Sequence, residues 1–444
     1  MLSHRSLAGS RITVAGLGRF GGGIAVTRWL CAQDAKVLVT DLDSAEHLSD
    51  SLRQLEGLPV TYRLGEHREE DFAQADIVVA SPAVPLQNRY LEAARSAGKT
   101  VTTEIRLFIE RCPARIIGVT GTKGKSTTTA MLGKMLDPVA KTWVGGNIGK
   151  SLLADLEQIG ETDLVVLELS SYMLEYLRDL RWSPHVALIT MISSDHLPWH
   201  GSQEAYVDAK RNIIRFQQPE DVAVLNEDDP ICAGFALEAV GKIIYFGLAG
   251  RSKFDLLIPG EHNQLNAQGA FATASIFGVD FTTAQRSLAD FTGLPHRLQR
   301  IYESGGVSYY NDSIATIPEA AVAALESFPN KKVIQIVGGY GKDIPITAMC
   351  ASLINRAKAV LCIGATGPAI ADLLEQSPSE NAAATYRCGD LATAVTIARQ
   401  IAAAGDIVLL SPGFKSYDQF VNFEQRGEEF VSGVKHNQVN TPPP

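Results

Sequence analysis

The 444-residue sequence lacks any run of about 18 consecutive apolar residues, the length that a membrane-spanning helix needs, so we expect no membrane partner. It also lacks an excess of basic residues, because 40 Lys and Arg face 49 Asp and Glu and the formal net charge is −9. Since nucleic-acid-binding proteins normally present a basic face, this balance predicts no nucleic-acid partner. A few local lysines and glycines would still suffice to bind a small anion.

Paired cysteines are also missing from the sequence. Its six cysteines form no CxxC pair and have no regular spacing; they are Cys31, Cys112, Cys232, Cys350, Cys362 and Cys388. This usage predicts reduced thiols in the cytoplasm and argues against a disulfide framework or a zinc site. The N-terminal apolar segment contains glycine and continues into a strand-turn pattern, which is not the pattern of a signal peptide.

What the sequence does contain is a succession of short Val- and Ile-rich runs separated by helical patterns. The runs that predict strands lie at 11–15, 36–40, 77–80, 115–119, 164–167, 186–191, 222–225, 332–337, 359–363 and 406–410. Continuous apolar strands between helices indicate parallel sheets covered on both faces, so the predicted fold class is α/β. We predict three domains, at 1–103, 104–293 and 294–444.

The first glycine-rich turn follows the run at 11–15. Gly16, Gly18 and Gly21 form a GxGxxG pattern, and Asp41 ends the next predicted strand. This spacing favours a mononucleotide-binding βαβ unit that binds either an NAD-type cofactor or a nucleotide-diphosphate substrate. The alternative is a turn that only packs a helix on the sheet. Ser81 follows another strand, in a loop that either closes over the diphosphate or has no such role.

The second glycine-rich turn is the strongest motif in the chain. An apolar strand leads into a Gly-rich loop, a Gly-Lys-Ser sequence and a predicted helix at 128–136. The predicted ATP-binding residues are Gly121, Thr122, Lys123, Gly124, Lys125, Ser126 and Thr127. Lys125 would contact the β- and γ-phosphates and Ser126 would bind Mg²⁺. The motif is a variant of the P-loop, because Val119 occupies the position of the usual first glycine.

Two further strand ends carry candidate ligands. Glu168 ends a buried strand, where a carboxylate would point into the site and bind Mg²⁺; the alternative is a cap on the next helix. His196 follows the run at 186–191 and is equally consistent with a catalytic residue or a cap. Asn147, in the Gly-rich loop 145–149, is either a substrate contact or part of a turn.

Lys210 lies on the apolar face of a helix predicted at 203–216, next to Tyr206, Ile213 and Ile214. One alternative is that its side chain extends to the surface. The other is a buried amine with a lowered pKa, which can react with CO₂ to form a carbamate whose oxygens bind Mg²⁺. Asn263 precedes a helix predicted to start near Leu265, and either contacts an adenine edge or caps that helix.

Together these segments resemble the Mur ligase family, the cytoplasmic enzymes that build the peptide stem of peptidoglycan. The resemblance covers essentially the full chain and rests on the segments 120–127, 145–149, 168–171, 195–196, 209–210, 262–263, 292–297, 311–313, 410–412 and 416–427. The last segment is similar to the branch that adds D-glutamate to UDP-N-acetylmuramoyl-L-alanine. The resemblance implies a Rossmann-like UDP-binding domain, a central P-loop-type ATPase domain and a Rossmann-like C-terminal domain.

The resemblance also implies a role for each candidate residue. The UDP-substrate would be bound by Gly16, Gly18, Arg19, Gly21, Asp41, Ser81, Asn147 and His196. Lys125, Glu168, His196 and Lys210 would be catalytic, with two Mg²⁺ ions held by Ser126, Glu168, His196 and carbamylated Lys210. Asn263, Arg297 and Asp312 would contact ATP, and glutamate would be bound by Thr316, Lys342, Ser416 and Phe423.

The implied reaction is ATP-dependent amide formation through an acyl phosphate, carried out by a monomer in the cytoplasm. Ile314 and the segment 413–415 depart from the family's usual residues near the expected amino-acid pocket. The alternative of a related enzyme that adds L-glutamate therefore stays open. A more distant alternative is a nucleotide-binding oxidoreductase that uses the first glycine-rich turn.

Overall fold

The structure is a computed structural model that describes residues 6–18, 21–341, 344–376 and 382–436. It contains two compact units, one formed by Met1–Ser252 with Leu265–Arg286 and the other by Lys253–Gln264 with Ser287–Pro444. Three sheets form the framework of the chain. In the part of the chain that the structure describes, no helix combines the length and apolar character needed to cross a membrane.

The first sheet belongs to the first unit and has five parallel strands in the order β3-β2-β1-β4-β5. The strands are β1 (Arg11–Ala15), β2 (Lys36–Asp41), β3 (Val60–Leu64), β4 (Ile77–Ala80) and β5 (Thr100–Thr102). The helices of this region are α1 (Gly22–Ala32), α2 (Ser49–Arg53), α3 (Glu69–Ala73), α4 (Arg89–Ser96) and α5 (Glu104–Ile109). The glycine-rich turn after β1 and the loop that begins at Ser81 after β4 therefore lie at the ends of neighbouring strands.

The second sheet, in the same unit, has six parallel strands in the order β11-β10-β9-β6-β8-β7. They are β6 (Arg115–Thr120), β7 (Thr142–Gly146), β8 (Leu164–Glu168), β9 (Val186–Ile189), β10 (Val222–Asn226) and β11 (Lys242–Phe246). The helices along this part of the chain are α6 (Lys125–Leu136), α7 (Ser171–Leu177), α8 (Leu197–His200), α9 (Gln203–Arg215), α10 (Pro230–Gly234), α11 (Glu261–Ala274) and α12 (Phe281–Leu288). Short 3₁₀ helices lie at Leu153–Gln158, Arg178–Leu180, Phe235–Leu237 and Ser275–Phe277.

The third sheet, in the second unit, has the order β12-β13-β17-β14-β15-β16, with β12 antiparallel to β13 and the other pairs parallel. Its strands are β12 (Gln299–Ser304), β13 (Val307–Asn311), β14 (Val333–Gly338), β15 (Ala359–Ile363), β16 (Ala384–Gly389) and β17 (Ile407–Leu410). Its helices are α13 (Pro318–Glu326), α14 (Thr347–Arg356), α15 (Gly367–Glu375), α16 (Leu391–Ile401) and α17 (Phe423–His436). All three sheets confirm the predicted α/β class.

One apolar core joins the first two sheets. It includes Trp29 and Leu30 of α1, Ile105 and Phe108 of α5, and Leu153, all of them buried. Because these side chains come from both sides of residue 103, the two sheets share one interior rather than two separate ones. Helix α5 begins at this junction, where the Thr103 hydroxyl accepts a hydrogen bond from the Arg106 amide.

The parallel arrangement of the strands brings candidate functional residues together at one edge of a sheet. The carboxyl ends of parallel strands lie at the same edge, which is where open α/β sheets bind ligands. The loop predicted at 145–149 begins later than expected, because Gly145 and Gly146 are the last residues of β7. Asn147 therefore follows a strand end directly, next to the strand end that carries Glu168.

Candidate active site

The second glycine-rich turn connects β6 to the N-terminus of α6. Gly124, immediately before the helix, is left-handed with φ 83°. A Cβ atom there would overlap the side-chain oxygen of Asn266, so both conformation and space favour glycine. The N-terminus of a 12-residue helix presents backbone N–H groups and the positive end of the helix dipole, which together bind anions. The structure thus gives the predicted ATP turn the geometry of a phosphate site.

Lys125 folds back over this turn. Its Nζ donates to the carbonyl oxygens of Gly121, at 3.1 Å, and Thr122, at 2.9 Å. The ammonium group therefore lies above the predicted phosphate-binding backbone. Of the other residues predicted to bind ATP, Lys123 is exposed, Ser126 is half-buried and Thr127 is buried.

Side-chain hydrogen bonds hold the turn in place, and two of the side chains, Thr190 and Asn226, were not identified from the sequence. The Thr122 hydroxyl accepts from the Ser193 amide at 2.9 Å and lies 2.9 Å from the Tyr206 hydroxyl. The Thr190 hydroxyl donates to the Lys123 carbonyl at 2.6 Å, and Asn226 Nδ2 donates to the Thr190 carbonyl at 2.6 Å. The turn is therefore fixed by residues from α9, from β10 and from the segment that directly follows β9, and does not depend on its own backbone alone.

Glu168 and Asn147 form a pair at neighbouring strand ends. Asn147 Nδ2 donates to Glu168 Oε1 at 2.9 Å, and the Asn147 amide donates to the Glu168 carbonyl at 2.9 Å. Glu168 is only 1% exposed, and no donor in the described ranges reaches its second oxygen, Oε2. A buried carboxylate oxygen without a donor suits a cation, because an unpaired buried charge is costly. The residues present therefore fit a Mg²⁺ ion at this position.

A metal at this edge would depend on the nucleotide for part of its coordination. Among the residues that the structure describes, no three His, Cys, Asp or Glu side chains converge on one point. Mg²⁺ commonly binds through one or two carboxylates, several waters and substrate phosphates. Glu168 and Ser126 would be sufficient protein ligands on that pattern.

Lys210 is buried, with 1% of its surface exposed, on the inner face of α9. Its Nζ donates to the Gly121 carbonyl at 2.6 Å and lies 4.8 Å from the centre of the Tyr206 ring. The surface-directed alternative for this lysine is wrong, because the amine is inside the protein. Burial, and then the charge of Lys125, lower the pKa of Lys210 well below its ordinary value. Both lysines donate to the same carbonyl, so repulsion favours the neutral form of the buried one.

His196 lies at the start of α8 with a left-handed backbone, φ 53°. It occupies the cap position of that short helix, but its side chain makes no capping hydrogen bond. Its Nε2 instead lies 3.5 Å from Oδ2 of Asp195, and its ring centre is 4.9 Å from that of Tyr172. Few non-glycine residues adopt the left-handed conformation, although histidine is one of those that do so more often, and the catalytic role of His196 stays a prediction.

An aromatic cluster that the sequence analysis missed surrounds His196. The rings of Tyr172 and His200 are parallel with centres 5.7 Å apart, and His200 Nε2 lies 2.9 Å from the Ser171 hydroxyl. Burial, followed by the charges of His196 and Lys210, lowers the pKa of His200 to about 4. At neutral pH the His200 ring is uncharged and connects the turn of His196 to the helix that follows Glu168.

The same turn is bonded to the first sheet. Trp199 Nε1 donates to the Ala83 carbonyl at 3.1 Å, and the Tyr176 hydroxyl donates to the Val84 carbonyl at 2.7 Å. These carbonyls belong to the loop that begins at Ser81, the loop predicted to cover a diphosphate. Trp199 lies in α8, directly after His196, whereas Tyr176 lies in α7, so one hydrogen bond joins the loop to the histidine turn and the other joins it to α7.

The first glycine-rich turn is held mainly by Asp41. Gly18 donates its amide to Asp41 Oδ2 at 3.0 Å, and the Asp43 amide donates to Oδ1 at 2.9 Å. Gly16 donates to the Thr40 carbonyl at 2.8 Å, and a left-handed Gly21 precedes α1. The turn has the predicted strand-turn-helix geometry, with Asp41 shaping it through backbone amides. Arg19 lies outside the described residues.

Asp312 is the centre of a polar cluster in the second unit. It is buried, and its carboxylate accepts from the Leu298 amide at 3.0 Å and from the Ser411 hydroxyl at 2.7 Å. Burial raises the pKa of Asp312 to about 7, although these two hydrogen bonds and the charge of Arg297 act in the opposite direction. Arg297 itself is exposed.

Asn263 does not cap a helix. Helix α11 begins at Glu261, two residues before it, so Asn263 belongs to the first turn. Its Nδ2 donates to the Pro259 carbonyl at 2.6 Å, whereas a cap would accept a hydrogen bond. Because a residue inside the helix is not its N-cap, the capping alternative is wrong, and the side chain is buried.

The residues predicted to bind glutamate lie on neighbouring segments of the second unit. Ser416 is buried and Thr316 half-buried. Phe423 begins α17, and its carbonyl accepts from the Ser313 hydroxyl at 2.8 Å. The Gly413 amide donates to the Ala315 carbonyl at 2.9 Å, which joins the segments of Thr316 and Ser416. Lys342 lies outside the described residues.

Comparison with known proteins decides the family. Three family models match consecutive parts of the chain: the Mur ligase MurD-like N-terminal domain at residues 10–103, the Mur ligase middle domain at 119–255, and the Mur ligase glutamate ligase domain at 296–414. The chain belongs to the Mur ligase family. This confirms the predicted family and the predicted three-domain α/β architecture.

Curated relatives of this Mur ligase match it along nearly its whole length. UDP-N-acetylmuramoylalanine--D-glutamate ligase from Roseiflexus sp. is 42% identical, with 96% of this chain and 98% of the relative covered. The protein of the same name from Symbiobacterium thermophilum is 36% identical, again with 96% and 98% covered. The fold is shared with UDP-N-acetylmuramate-alanine ligase MurC from Thermotoga maritima, with a TM-score of 0.62 at 21% identity over 97% of this chain and 100% of that one.

Membership decides between the predicted classes of activity. A Mur ligase is an ATP-dependent amide-forming enzyme that uses Mg²⁺, as the second glycine-rich turn predicts. The oxidoreductase alternative, based on the first glycine-rich turn, is therefore wrong. That turn is part of the region matched by the MurD-like N-terminal domain.

Proposed function

We propose that this Mur ligase joins D-glutamate to the alanyl carboxylate of UDP-N-acetylmuramoyl-L-alanine in peptidoglycan precursor synthesis, and converts ATP to ADP and phosphate. The observation that carries the proposal is the 42% identity, over 96% of the chain, to a relative named for that reaction. The arrangement of Lys125, Lys210 and Glu168 around one turn supports it, since those groups suit phosphoryl transfer.

The reaction proceeds in two steps. A carboxylate oxygen of the alanyl group attacks the γ-phosphorus of ATP, ADP departs, and an acyl phosphate forms. The neutral amine of glutamate then attacks the acyl carbon, the tetrahedral intermediate loses phosphate, and the nitrogen loses a proton to leave the amide. Lys125 lies over the turn, where it stabilises the negative charge that gathers on the transferring phosphoryl group.

Two Mg²⁺ ions take part in this proposal. Ser126 and Glu168 would hold one, and the donor-free oxygen of Glu168 supports that role. His196 and carbamylated Lys210 would hold the second. When bound, the ions supply Lewis-acid stabilisation of phosphate oxygens.

The carbamate follows from the surroundings of Lys210. An uncharged amine is the form that reacts with CO₂, and both burial and Lys125 favour it. The new carboxylate would place negative charge close to Lys125, and both Lys125 and Glu168 lie near enough to influence the pKa of Lys210.

Substitution of Lys210 tests the carbamate. Lys210→Ala should lose at least about 100-fold in kcat, and short carboxylic acids should restore part of it because they supply the missing oxygens. ¹³C-labelled bicarbonate should give a carbamate signal in the wild-type protein and none in the variant. Full activity of Lys210→Ala, or the absence of the signal in an active wild-type sample, would contradict the carbamate and leave the ligase activity standing.

Substrate binding is assigned to the two units separately. In the first, Gly16, Gly18, Arg19, Gly21, Asp41 and Ser81 bind the UDP part, and Asn147 and His196 lie near the alanyl carboxylate. In the second, Asn263, Arg297 and Asp312 contact the nucleotide, and Thr316, Lys342, Ser416 and Phe423 bind glutamate. The buried polar network around Asp312 and the linked segments of Thr316, Ser416 and Phe423 support this division.

The domain limits belong to the proposal as well. We place the first limit at residue 103, where the matched N-terminal region 10–103 ends, and the second at residue 293, shortly before the matched C-terminal region 296–414. We further propose a monomer that works in the cytoplasm, where the nucleotide substrates are made.

Phosphate release measures the function directly. Purified protein with Mg²⁺, ATP and UDP-N-acetylmuramoyl-L-alanine should release phosphate when D-glutamate is added and not without an amino acid. L-Glutamate in a parallel reaction decides the stereochemistry, and turnover with that isomer alone would replace D by L in the proposal. No release with either isomer, beside turnover with another amino acid, would assign the chain to another Mur branch.

A further inference from the structure

A buried guanidinium group lies in the second unit, and the proposed reaction gives it no role. Arg426 of α17 is 1% exposed. Its Nε donates to the Ser313 hydroxyl at 2.9 Å, Nη2 to the Ser313 carbonyl at 2.8 Å, and Nη1 to the Phe414 carbonyl at 3.0 Å. All three acceptors are uncharged.

The positive charge of Arg426 therefore lacks a contacting counter-ion within the described part of the chain. The one acid that influences it is Asp418, whose carboxylate is occupied by the Ala365 amide at 2.8 Å. Burial lowers the pKa of Arg426 to about 10, so the group remains charged at neutral pH. A buried charge with only neutral partners keeps a strong electric field, because little water screens it.

Arg426 lies next to the segments that we propose bind glutamate. Ser313 is three residues before Thr316, and Phe414 is two residues before Ser416. Phe423, one helical turn before Arg426, accepts from the same Ser313 hydroxyl that Arg426 contacts. A Cβ atom at Gly339 would lie 3.2 Å from Nη1 of Arg426, so the segment that leads to Lys342 is also adjacent.

We infer that Arg426 is a specificity-determining residue that makes this pocket select an amino acid with two carboxylates. The inference rests on the proposed function, because it assumes that these segments bind the incoming amino acid. Arg426 acts through its field and through the segments it holds. A dicarboxylate supplies the negative charge that the protein does not place beside the guanidinium.

The test compares the KM values of the three substrates. Arg426→Met, which keeps the volume but removes the charge, should raise the KM for glutamate by about 10- to 100-fold, while the KM for ATP and for the UDP-substrate change by less than about threefold. Arg426→Gln, which keeps one amide donor, should give the same pattern. Arg387→Met removes an exposed arginine from β16 of the same unit, and should change none of the three.

Asp418→Asn is the opposite variant and does not require a change of the buried residue. Removing the one opposing negative charge should lower the KM for glutamate by about two- to threefold, with the other two KM values unchanged. A role of Arg426 in folding alone would give no such gain. This variant decides the question if both Arg426 variants fail to fold.

Two failures can be told apart. If the wild-type protein releases no phosphate in response to glutamate, the proposed function itself fails. If the wild type is active but all three KM values rise together in the Arg426 variants, or Asp418→Asn does not tighten glutamate, then Arg426 is a structural residue and the inference is overturned.

Discussion

The two glycine-rich turns of the first unit have the same backbone design and different surroundings. Each follows a buried parallel strand and places a left-handed glycine before a helix, Gly21 with φ 91° and Gly124 with φ 83°. Around the first turn, the carboxylate of Asp41 fixes a backbone amide. Around the second, Lys125 and Lys210 both donate to the carbonyl of one residue.

This difference indicates that the backbone of each turn supplies phosphate binding, and that the side chains around the turn decide whether catalysis takes place there. Backbone N–H groups at a helix N-terminus bind a phosphate group equally well whether it belongs to the UDP-substrate or to ATP. Among the residues that the structure describes around the two turns, it is the second turn that has two lysine amines and, at Glu168, a buried carboxylate oxygen without a donor. The predictions below test whether the two turns divide binding and catalysis in this way.

The largest effect is expected at the second turn. Lys125→Ala should lower kcat by about 100- to 1,000-fold, because it removes one donor that stabilises the transferring phosphoryl group. Lys134→Ala, farther along the same helix, is the matched control and should retain wild-type kcat. Steady-state phosphate release measures both. Equal kcat in the two variants would contradict the catalytic role of the turn.

The substitutions Gly21→Ala and Gly124→Ala compare the two turns more directly, because each replaces the left-handed glycine that precedes a helix. The conformation alone should cost each variant about 1–2 kcal/mol of stability. Only Gly124→Ala adds an overlap with Asn266, whereas no described atom lies within 4 Å of a Cβ at Gly21. Gly124→Ala should therefore lower the thermal unfolding temperature more and raise the KM for ATP by at least about tenfold.

A second substitution checks the cause of that loss. Combining Gly124→Ala with Asn266→Ala removes the atom that the new methyl group overlaps, so part of the unfolding temperature should return. Gly21→Ala should raise the KM for the UDP-substrate and not that for ATP. A rise in the KM for ATP in the Gly21 variant would break the proposed division between the turns.

A smaller effect is expected from Asp41. Asp41→Asn leaves one neutral oxygen in place of the two charged oxygens that accept from the Gly18 and Asp43 amides, so one hydrogen bond is lost and the other is weakened. The KM for the UDP-substrate should rise by about three- to tenfold with kcat unchanged, the pattern of lost uniform binding. A fall in kcat with KM unchanged would show that the first turn also takes part in catalysis.

The smallest expected effect concerns acid stability. The pKa of His200, beside the second turn, is lowered to about 4 in the folded state. In the unfolded state the same ring takes up a proton near pH 6.5, so protonation favours unfolding. This contribution to stability is present above pH 6.5 and is lost as pH falls toward 4. His200→Gln should reduce the loss of unfolding temperature between pH 7 and pH 5.

His67 beside the first turn gives the matched measurement. Burial lowers its pKa, but Asp41 and Asp71 act in the opposite direction, whereas His196 and Lys210 add to the lowering at His200. His67→Gln should therefore change the acid dependence less than His200→Gln. The reverse order would contradict the charge arrangement around the second turn.

The sequence predicted the interior of the fold far better than its margins. Every run named as a strand belongs to an interior position of a sheet, such as β1, β6 and β14. The edge strands β3, β5, β7, β11, β12 and β16 carry mixed burial, so they lack the continuous apolar run that marks a fully covered strand.

In the candidate site too, residues with a local sequence pattern were easier to identify than residues without one. Lys210 was recognisable as a candidate because a lysine interrupts an apolar helix face, but that pattern left a surface-directed and a buried side chain both open. The partners of Thr190 and Asn266 could not be predicted, because Lys123 and Thr128 lie 67 and 138 residues away and only the fold brings each pair together. For Thr190, a polar residue just beyond an apolar strand was the available signal. Asn263 was misread because α11 begins earlier than predicted.

The hydrogen bond from Trp199 to the Ala83 carbonyl links the helix that begins beside His196 to the loop predicted to cover the diphosphate. The Tyr176 hydroxyl links the same loop, at Val84, to the helix that begins shortly after Glu168. One loop of the first sheet therefore contacts the segments next to both of these proposed metal ligands, which gives substrate bound at that loop a direct structural connection to them.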